Sequence, residues 1–486
     1  RRNIKKPVGG GGAGGGEEER RKRIAGRVEA AAAMRKKMVS SKRKKTEQDG
    51  EGSEELSVPS QGEVEAIVRS CEGALNKGGD DARRCLKSLR TVLSMQDDDL
   101  ISYAVGAGAV DMLLKYIKGN CGECILEAAW CITNIATGSL EHTRDAMRSA
   151  PDLIMLIDSP DPRIQEQCIW ALGNMAGEDE QCRDTIRANG AIRPIINKLN
   201  GRMVEVQKIS AWALANLMRG QDPKLDEFFA MGLGEVVVEL ILTQEEVPSS
   251  HASSELMVEV VWLLSILTHN QEKFALHLCQ VGVASKLVRY LESGMAQLEM
   301  PALRCIGNMI CGPDEITDHL LSHPACLKQL HVMLQTGNKG LMKEATWVLS
   351  NIAAGKANHR AAMMEEGVHA SLIVILKTSH FDIRKEAAFA LFHLLHDPAY
   401  TPTLFTPELA TEFVGLLRAP DPQVVDMALT VAERILATME GGPRLFEEAD
   451  GIDALEQLIY ANSSQAVVAR SSFLVDKYFG EDAEPY

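Results

Sequence analysis

The chain has 486 residues, 45% of them hydrophobic and 24% charged, a balance found in globular proteins rather than in disordered or membrane-spanning ones. Its net charge of −15 is unevenly laid out: residues 1–45 carry 16 Lys and Arg against 4 Asp and Glu, a net +12, which leaves −27 on the remainder. No apolar run reaches the roughly 18 residues of a membrane span, and the amino-terminal stretch lacks the apolar core of a secretory signal.

Taken in chain order, residues 1–19 read as a flexible tail built around the glycine tract at 9–16. That tract follows no strand and lacks a closing Gly-Lys-Ser or Gly-Lys-Thr, so it is no phosphate loop. The chain opens on Arg1 rather than Met, as a sequence lacking its first residues would. From 20 to 45 it turns basic and Ala-rich, the pattern of a marginal helix that a partner completes. Residues 46–70 read as a linker, 71–481 as a repeat body, and 482–486 as a short acidic tail.

The body repeats itself, which removes the three domains that its length would suggest. Trp130, Trp170, Trp212 and Trp347 are each followed four residues later by Asn: Asn134, Asn174, Asn216 and Asn351. Trp262 keeps the aromatic without the amide, Arg304 with Asn308 keeps the amide without the aromatic, and Phe389 with His393 changes both. Neighbouring units lie 40 to 43 residues apart, except for 50 between Trp212 and Trp262, where a polar insertion falls near Thr243 to Ser254. A second marker keeps the same beat, since Gly108, Gly190, Gly282, Gly367 and Gly451 each precede an apolar run of helical period. Glycine there permits a sharp turn through positive φ. A period near 42 with helices alone means an α-solenoid of HEAT or armadillo type with about ten repeats, the terminal ones acting as caps.

The 11 cysteines are an odd number and lie mostly in apolar helical stretches, which suits buried thiols in a reducing compartment. Cys121 and Cys124 form a Cys-x-x-Cys without a second pair or a spaced His, so no metal site or cofactor is expected. With no phosphate loop, nucleophile motif or metal-ligand cluster, and with His residues such as His393 and His396 scattered, the chain does not read as an enzyme.

Trp and Asn four residues apart share one helix face, and stacked repeats line such pairs into a ladder. Asn offers both a donor and an acceptor to a peptide unit. Indole faces form slots for the stem and cationic head of Lys or Arg, with carboxylates such as Glu178 and Glu259 placed to take the charge. The ligand expected from the residues is therefore an extended, Lys/Arg-rich peptide, drawn in by the acidic body.

These features resemble importin α, the armadillo adaptor of nuclear import. The most specific matches are Ala129-Trp-Cys-Ile-Thr-Asn134-Ile-Ala-Thr-Gly138, Glu166-Gln-Cys-Ile-Trp170-Ala-Leu-Gly-Asn174, Pro301-Ala-Leu-Arg304-Cys-Ile-Gly-Asn308, Lys343-Glu-Ala-Thr-Trp347-Val-Leu-Ser-Asn351 and the closing Tyr478-Phe-Gly. The resemblance implies an all-α, right-handed superhelical armadillo solenoid preceded by a flexible basic arm. It also implies two sites for nuclear localisation signals. The major one would use Trp130, Asn134, Gly138, Thr143, Gln167, Trp170, Asn174, Glu178, Trp212, Asn216 and Glu259. The minor one would use Arg304, Asn308, Thr317, Glu344, Trp347, Asn351, Glu386 and Phe389. Three departures stand out: Glu178 replaces an Asp, Ile209 replaces an Asn, and Phe389 with His393 replaces the last Trp and Asn.

The arm resembles the family's importin-β-binding segment, with Arg20, Arg21, Lys22 and Arg23 as its opening run and Lys42, Arg43, Lys44 and Lys45 as its closing one. The resemblance implies importin β and signal-bearing cargo as partners, a nuclear export receptor at the carboxy-terminal repeats, shuttling between cytoplasm and nucleus, and no binding to membrane or nucleic acid. The closing run would also occupy the groove as an intramolecular competitor, since a tether raises effective concentration to the millimolar range. Two other readings of the residues remain open: a basic tail that touches RNA or anionic surfaces, and a catenin-like armadillo scaffold not engaged in transport.

Overall fold

The computed structural model describes residues 58–75, 79–95, 97–220, 222–244, 251–395, 397–461 and 464–480, with backbone alone at 251–253. The glycine-rich tail, the basic segment with Arg20 to Arg23 and Lys42 to Lys45, residues 46–57 of the expected linker and the acidic tail lie outside the described residues. The described residues form two compact units, 58–274 and 275–480. Among them there is no strand, and no single helix is long and apolar enough to cross a membrane.

Both units follow the repeat. In the first, the long helices Gly79–Leu93, Gly122–Ile135, Pro162–Glu178, Val204–Leu217 and His251–Leu267 stack in chain order. In the second, Ala296–Ile310, Lys339–Ala353, Phe381–Leu395, Pro422–Thr438 and Gln465–Phe479 do the same. These ten helices match the count of about ten repeats. Shorter helices between them cover the other face, as Ala109–Ile117 covers Gly122–Ile135 and Ile192–Leu199 covers Val204–Leu217. Such helices cannot bury their apolar stripe alone, so each repeat takes its core from its neighbours. Ile132, Cys168, Leu214 and Leu263 are all fully buried.

Local chemistry starts the helices where the period demands. Asp161 caps Pro162–Glu178, its Oδ1 accepting the Arg163 N–H at 2.9 Å, with Pro162 in the first turn where its missing N–H costs nothing. Asp421 and Pro422 repeat the device at the start of Pro422–Thr438. Between helices, Gly108, Gly190, Gly282 and Gly367 adopt φ values of 77° to 91°, as the turn argument requires. The fifth marker is corrected. Gly451 is helical, and Asp450 takes the left-handed position with φ 54°. Gly451 is there for space, because a Cβ would strike the Phe446 ring. The missed marker is Gly232, at φ 79°.

The linker expected over 46–70 ends early, because Gln61–Ala74 is a helix packed on Gly79–Leu93. Its start is capped by Glu63, whose Oε2 accepts the Ser60 N–H at 2.7 Å, and Val64, Val68, Cys71 and Ala74 are buried along one side. The expected insertion is shorter than its limits, since helix resumes at His251. Of the eleven free cysteines eight are buried, and burial pushes the Cys71 thiol up to about 12, so these thiols act as small apolar residues.

Candidate functional site

The Trp and Asn residues of the first unit lie on helices that pack in sequence, Gly122–Ile135 on Pro162–Glu178 on Val204–Leu217 on His251–Leu267. Trp130 and Trp170 are half-buried, whereas Trp212 and Trp262 are buried, at 5% and 7% exposure. For Trp212 the burial has a local cause: its indole seats on Gly173, the residue before Asn174, and a Cβ there would overlap its Cζ3.

The asparagines join the repeats. Asn174 Nδ2 donates to Thr133 O at 3.2 Å and Asn216 Nδ2 to Gly173 O at 3.0 Å, each reaching the residue before the preceding Asn. Asn134 Nδ2 donates to Arg90 O at 3.3 Å. One amide proton of each is thus used in stacking. The Nε1–H groups of Trp170 and Trp212 are buried and meet no acceptor among the described residues. An orphaned donor of this kind is costly unless water or a ligand satisfies it.

The remaining expected residues are divided between lining and support. Gln167 is buried, its Oε1 accepting the Thr133 hydroxyl at 3.5 Å. Gly138 makes room for His142, whose Nδ1 accepts the Ser139 N–H at 3.1 Å. Thr143 is fully buried and its hydroxyl donates to Ala136 O at 3.3 Å, which places it behind the surface rather than on it. Glu178 closes its helix half-buried, followed by Asp179, which caps the next helix and pairs with Arg144 at 3.5 Å. Glu259 is buried one turn before Trp262, and Ile209 is half-buried one turn before Trp212.

Sequence reasoning missed one pair. The Arg90 guanidinium carbon lies 4.0 Å from the centroid of Trp130, and Arg90 Nε stands 2.8 Å from Glu127 Oε2. The two side chains are only 16% and 8% exposed. Burial raises the Glu127 carboxyl above its ordinary value, and Arg90 opposes the rise. The signal available in the sequence was Glu127 three residues before Trp130, the same offset as Glu344 before Trp347.

The second unit carries its own array in a more closed form. Trp347 seats on Gly307 as Trp212 does on Gly173, and is 1% exposed. Asn308, Glu344, Asn351, Glu386 and Phe389 are buried, and Thr317 is buried behind them. Arg304 Nη2 donates to Glu344 Oε1 at 3.0 Å, Ser350 Oγ donates to Glu386 Oε2 at 3.2 Å, and Asn351 Nδ2 donates to Cys311 Sγ at 3.7 Å. His393, half-buried, meets the Phe392 ring edge-on at 5.5 Å. Beside this array Asp318 accepts from His359 Nε2 at 2.7 Å, from Lys356 Nζ at 2.7 Å and from Asn358 Nδ2 at 3.1 Å.

The model of the armadillo/β-catenin-like repeat family matches residues 151–177 and 179–219. Importin subunit alpha-9 of Arabidopsis thaliana is 31% identical over 420 residues, covering 82% of this chain and 79% of its own. Importin subunit alpha-2 of Oryza sativa subsp. japonica is 30% identical over 422 residues, with 82% and 78% covered. Among solved structures, an engineered protein aligns with a TM-score of 0.70 at 24% identity, over 85% of this chain and 99% of that one. A β-catenin structure, from work on a phosphorylation switch in its interaction with cadherin, aligns with a TM-score of 0.65 at 14% identity over 85% of each. The two structural likenesses bear on the fold, which is an all-α armadillo solenoid.

Proposed function

The chain belongs to the importin α family, and on that premise we propose that it is an adaptor of nuclear import whose Trp/Asn array in the first unit holds Lys/Arg-rich localisation signals. One observation carries the reading. Arg90 against Trp130 and Glu127 is a guanidinium on an indole face with a carboxylate at its end, the same chemistry that a basic peptide would need at each following slot. A cation on a desolvated indole gains about 2 kcal/mol. Trp170 supplies the next half-buried face, and Asn174 and Asn216 hold carbonyl oxygens and amide protons toward a peptide backbone running across them.

The second array would take a second basic cluster, with Arg304, Asn308, Glu344, Trp347, Asn351, Glu386 and Phe389 around it. The basic segment 20–45 would bind importin β, and its closing run would compete for the groove until importin β removes it. In this reading the protein has no catalytic step, meets an export receptor through its carboxy-terminal repeats, and shuttles between cytoplasm and nucleus.

The test uses a chain lacking residues 1–45, with and without the paired change Trp170→Ala and Asn174→Ala. A fluorescent Lys-rich signal peptide should bind the parent and lose at least tenfold in affinity for the variant. Equal binding would sink the groove reading. A pull-down of importin β by the full chain, lost when 20–45 is removed, tests the role of the arm.

A further inference from the structure

We propose that Arg90 and Glu127 are a built-in stop at one end of the first unit's Trp array: the protein's own guanidinium fills the slot on one face of Trp130, so that no basic side chain of a bound peptide is accepted there. The proposal rests on the peptide-groove reading above and deepens it, because it says where the row of slots ends.

Three observations carry it. First, the slot is occupied and nearly dry: the Arg90 guanidinium carbon is 4.0 Å from the Trp130 centroid, and Arg90 Nε is 2.8 Å from Glu127 Oε2. A ligand cation would have to displace a group that is chemically equal to it and already tethered, which gives no net gain. Second, the carboxylates at this end already have cations of the protein's own: Arg83 and Lys87 act on Glu127 besides Arg90, and Glu123 has Arg83 Nη2 at 3.4 Å and Arg163 Nη2 at 2.7 Å. An arriving Lys would find these carboxylates already compensated. Third, the arginine–glutamate pair occurs twice. Glu344 stands three residues before Trp347 as Glu127 does before Trp130, and Arg304 from the preceding long helix holds it at 3.0 Å. At the same offset stand Gln167 before Trp170, Ile209 before Trp212, Glu259 before Trp262 and Glu386 before Phe389, so it is the arginine with the glutamate, and not the glutamate alone, that marks the device. In each unit the arginine–glutamate pair lies where the row of aromatic rings begins.

The consequence is a fixed register. Basic side chains of the ligand are counted from the opposite face of Trp130 toward Trp170 and Trp212, and residues beyond the stop contribute backbone contacts at most. Arg90 here is a specificity-determining residue that need not touch the peptide.

The experiment uses the chain lacking residues 1–45, as in the groove test, so that the basic arm does not compete, and a fluorescent Lys-rich pentapeptide extended at either terminus by two Lys or by two Ala. For the parent, Lys and Ala extensions at one terminus should bind within twofold of each other. In the paired variant Arg90→Ala with Glu127→Gln, the Lys extension at that terminus should bind at least fivefold tighter than the Ala extension, while the pentapeptide changes less than twofold. A gain from Lys over Ala at both termini of the parent would overturn the stop, and that comparison needs no variant to fold. A folded variant that shows no gain from Lys would also overturn it. Failure of the pentapeptide to bind the parent would instead remove the groove reading, and the stop with it.

Discussion

Trp212 rests on the α-carbon of Gly173, across two consecutive long helices and directly before the asparagine whose repeat it follows. The contact explains why a residue that disfavours helix sits mid-helix in Trp-Ala-Leu-Gly-Asn: glycine costs about 0.5 to 1 kcal/mol there relative to alanine, and the indole fills the space a methyl group would take. Gly173→Ala should therefore destabilise the first unit despite its better helix propensity, by about 1 to 3 kcal/mol for the overpacked contact. The urea midpoint and the Trp fluorescence measure it. An unchanged midpoint with unchanged emission would mean that the indole relocates without strain.

The asparagines make two kinds of contact, so their substitution should have two readouts. Asn216→Ala removes the donor to Gly173 O and leaves that carbonyl facing a smaller neighbour, which costs about 0.5 to 1.5 kcal/mol of stability. If the groove holds a peptide backbone, the same change weakens peptide binding further, by a factor larger than the stability loss produces in a still-folded chain. Circular dichroism at the binding temperature separates the two. A variant that loses stability and keeps full peptide affinity would assign Asn216 to stacking alone.

The ladder was legible because its period of about 42 residues repeats a pair, Trp and Asn, that shares one helix face. The seat at Gly173, the stitch from Asn216 to Gly173 and the Arg90 plug on Trp130 were not, because each joins residues 39 to 43 positions apart and depends on the register between neighbouring helices. The stretch 61–70 reads as linker for a different reason: Val64, Val68, Cys71 and Ala74 follow a helical period, but they adjoin the polar run 46–60 and carry neither the Trp nor the Asn marker of the repeat. The turn at Gly451 was misread because glycine serves two needs, positive φ and absence of a Cβ, and only the surrounding Phe446 distinguishes them.

Asp318 gives the second unit a pH dependence of known sign. Lys356 and His359 hold its carboxyl well below the usual carboxylate range, so the folded state binds a proton there more weakly than the unfolded chain does. The stabilisation is complete above its ordinary value of 3.8 and is lost as pH falls below it toward the folded-state value. With a side chain 37% exposed, the net contribution is less than about 1 kcal/mol after solvent screening. Asp318→Asn should lower the Tm at pH 7 by a degree or two, on the order set by that energy, and the gap from the parent should close toward pH 2. A gap that stays constant or widens in acid would show that the carboxylate contacts do not stabilise the fold.

Arg90 and Glu127 also predict a pattern of stability that is separate from any ligand. Both side chains are largely buried, so removing one partner leaves the other as an uncompensated charge at a cost of about 3 to 5 kcal/mol. Arg90→Met should therefore lower the urea midpoint of the first unit substantially. Adding Glu127→Gln removes the orphaned carboxylate, and the double variant should recover most of the loss, giving a coupling of about 2 kcal/mol or more between the two sites. The single variant should also be less damaging in mild acid than at neutral pH, since burial already favours the protonated form of Glu127 and the missing guanidinium no longer opposes it. Additive effects with no rescue would mean that Arg90 acts on Trp130 by packing alone and that Glu127 is not its counter-charge.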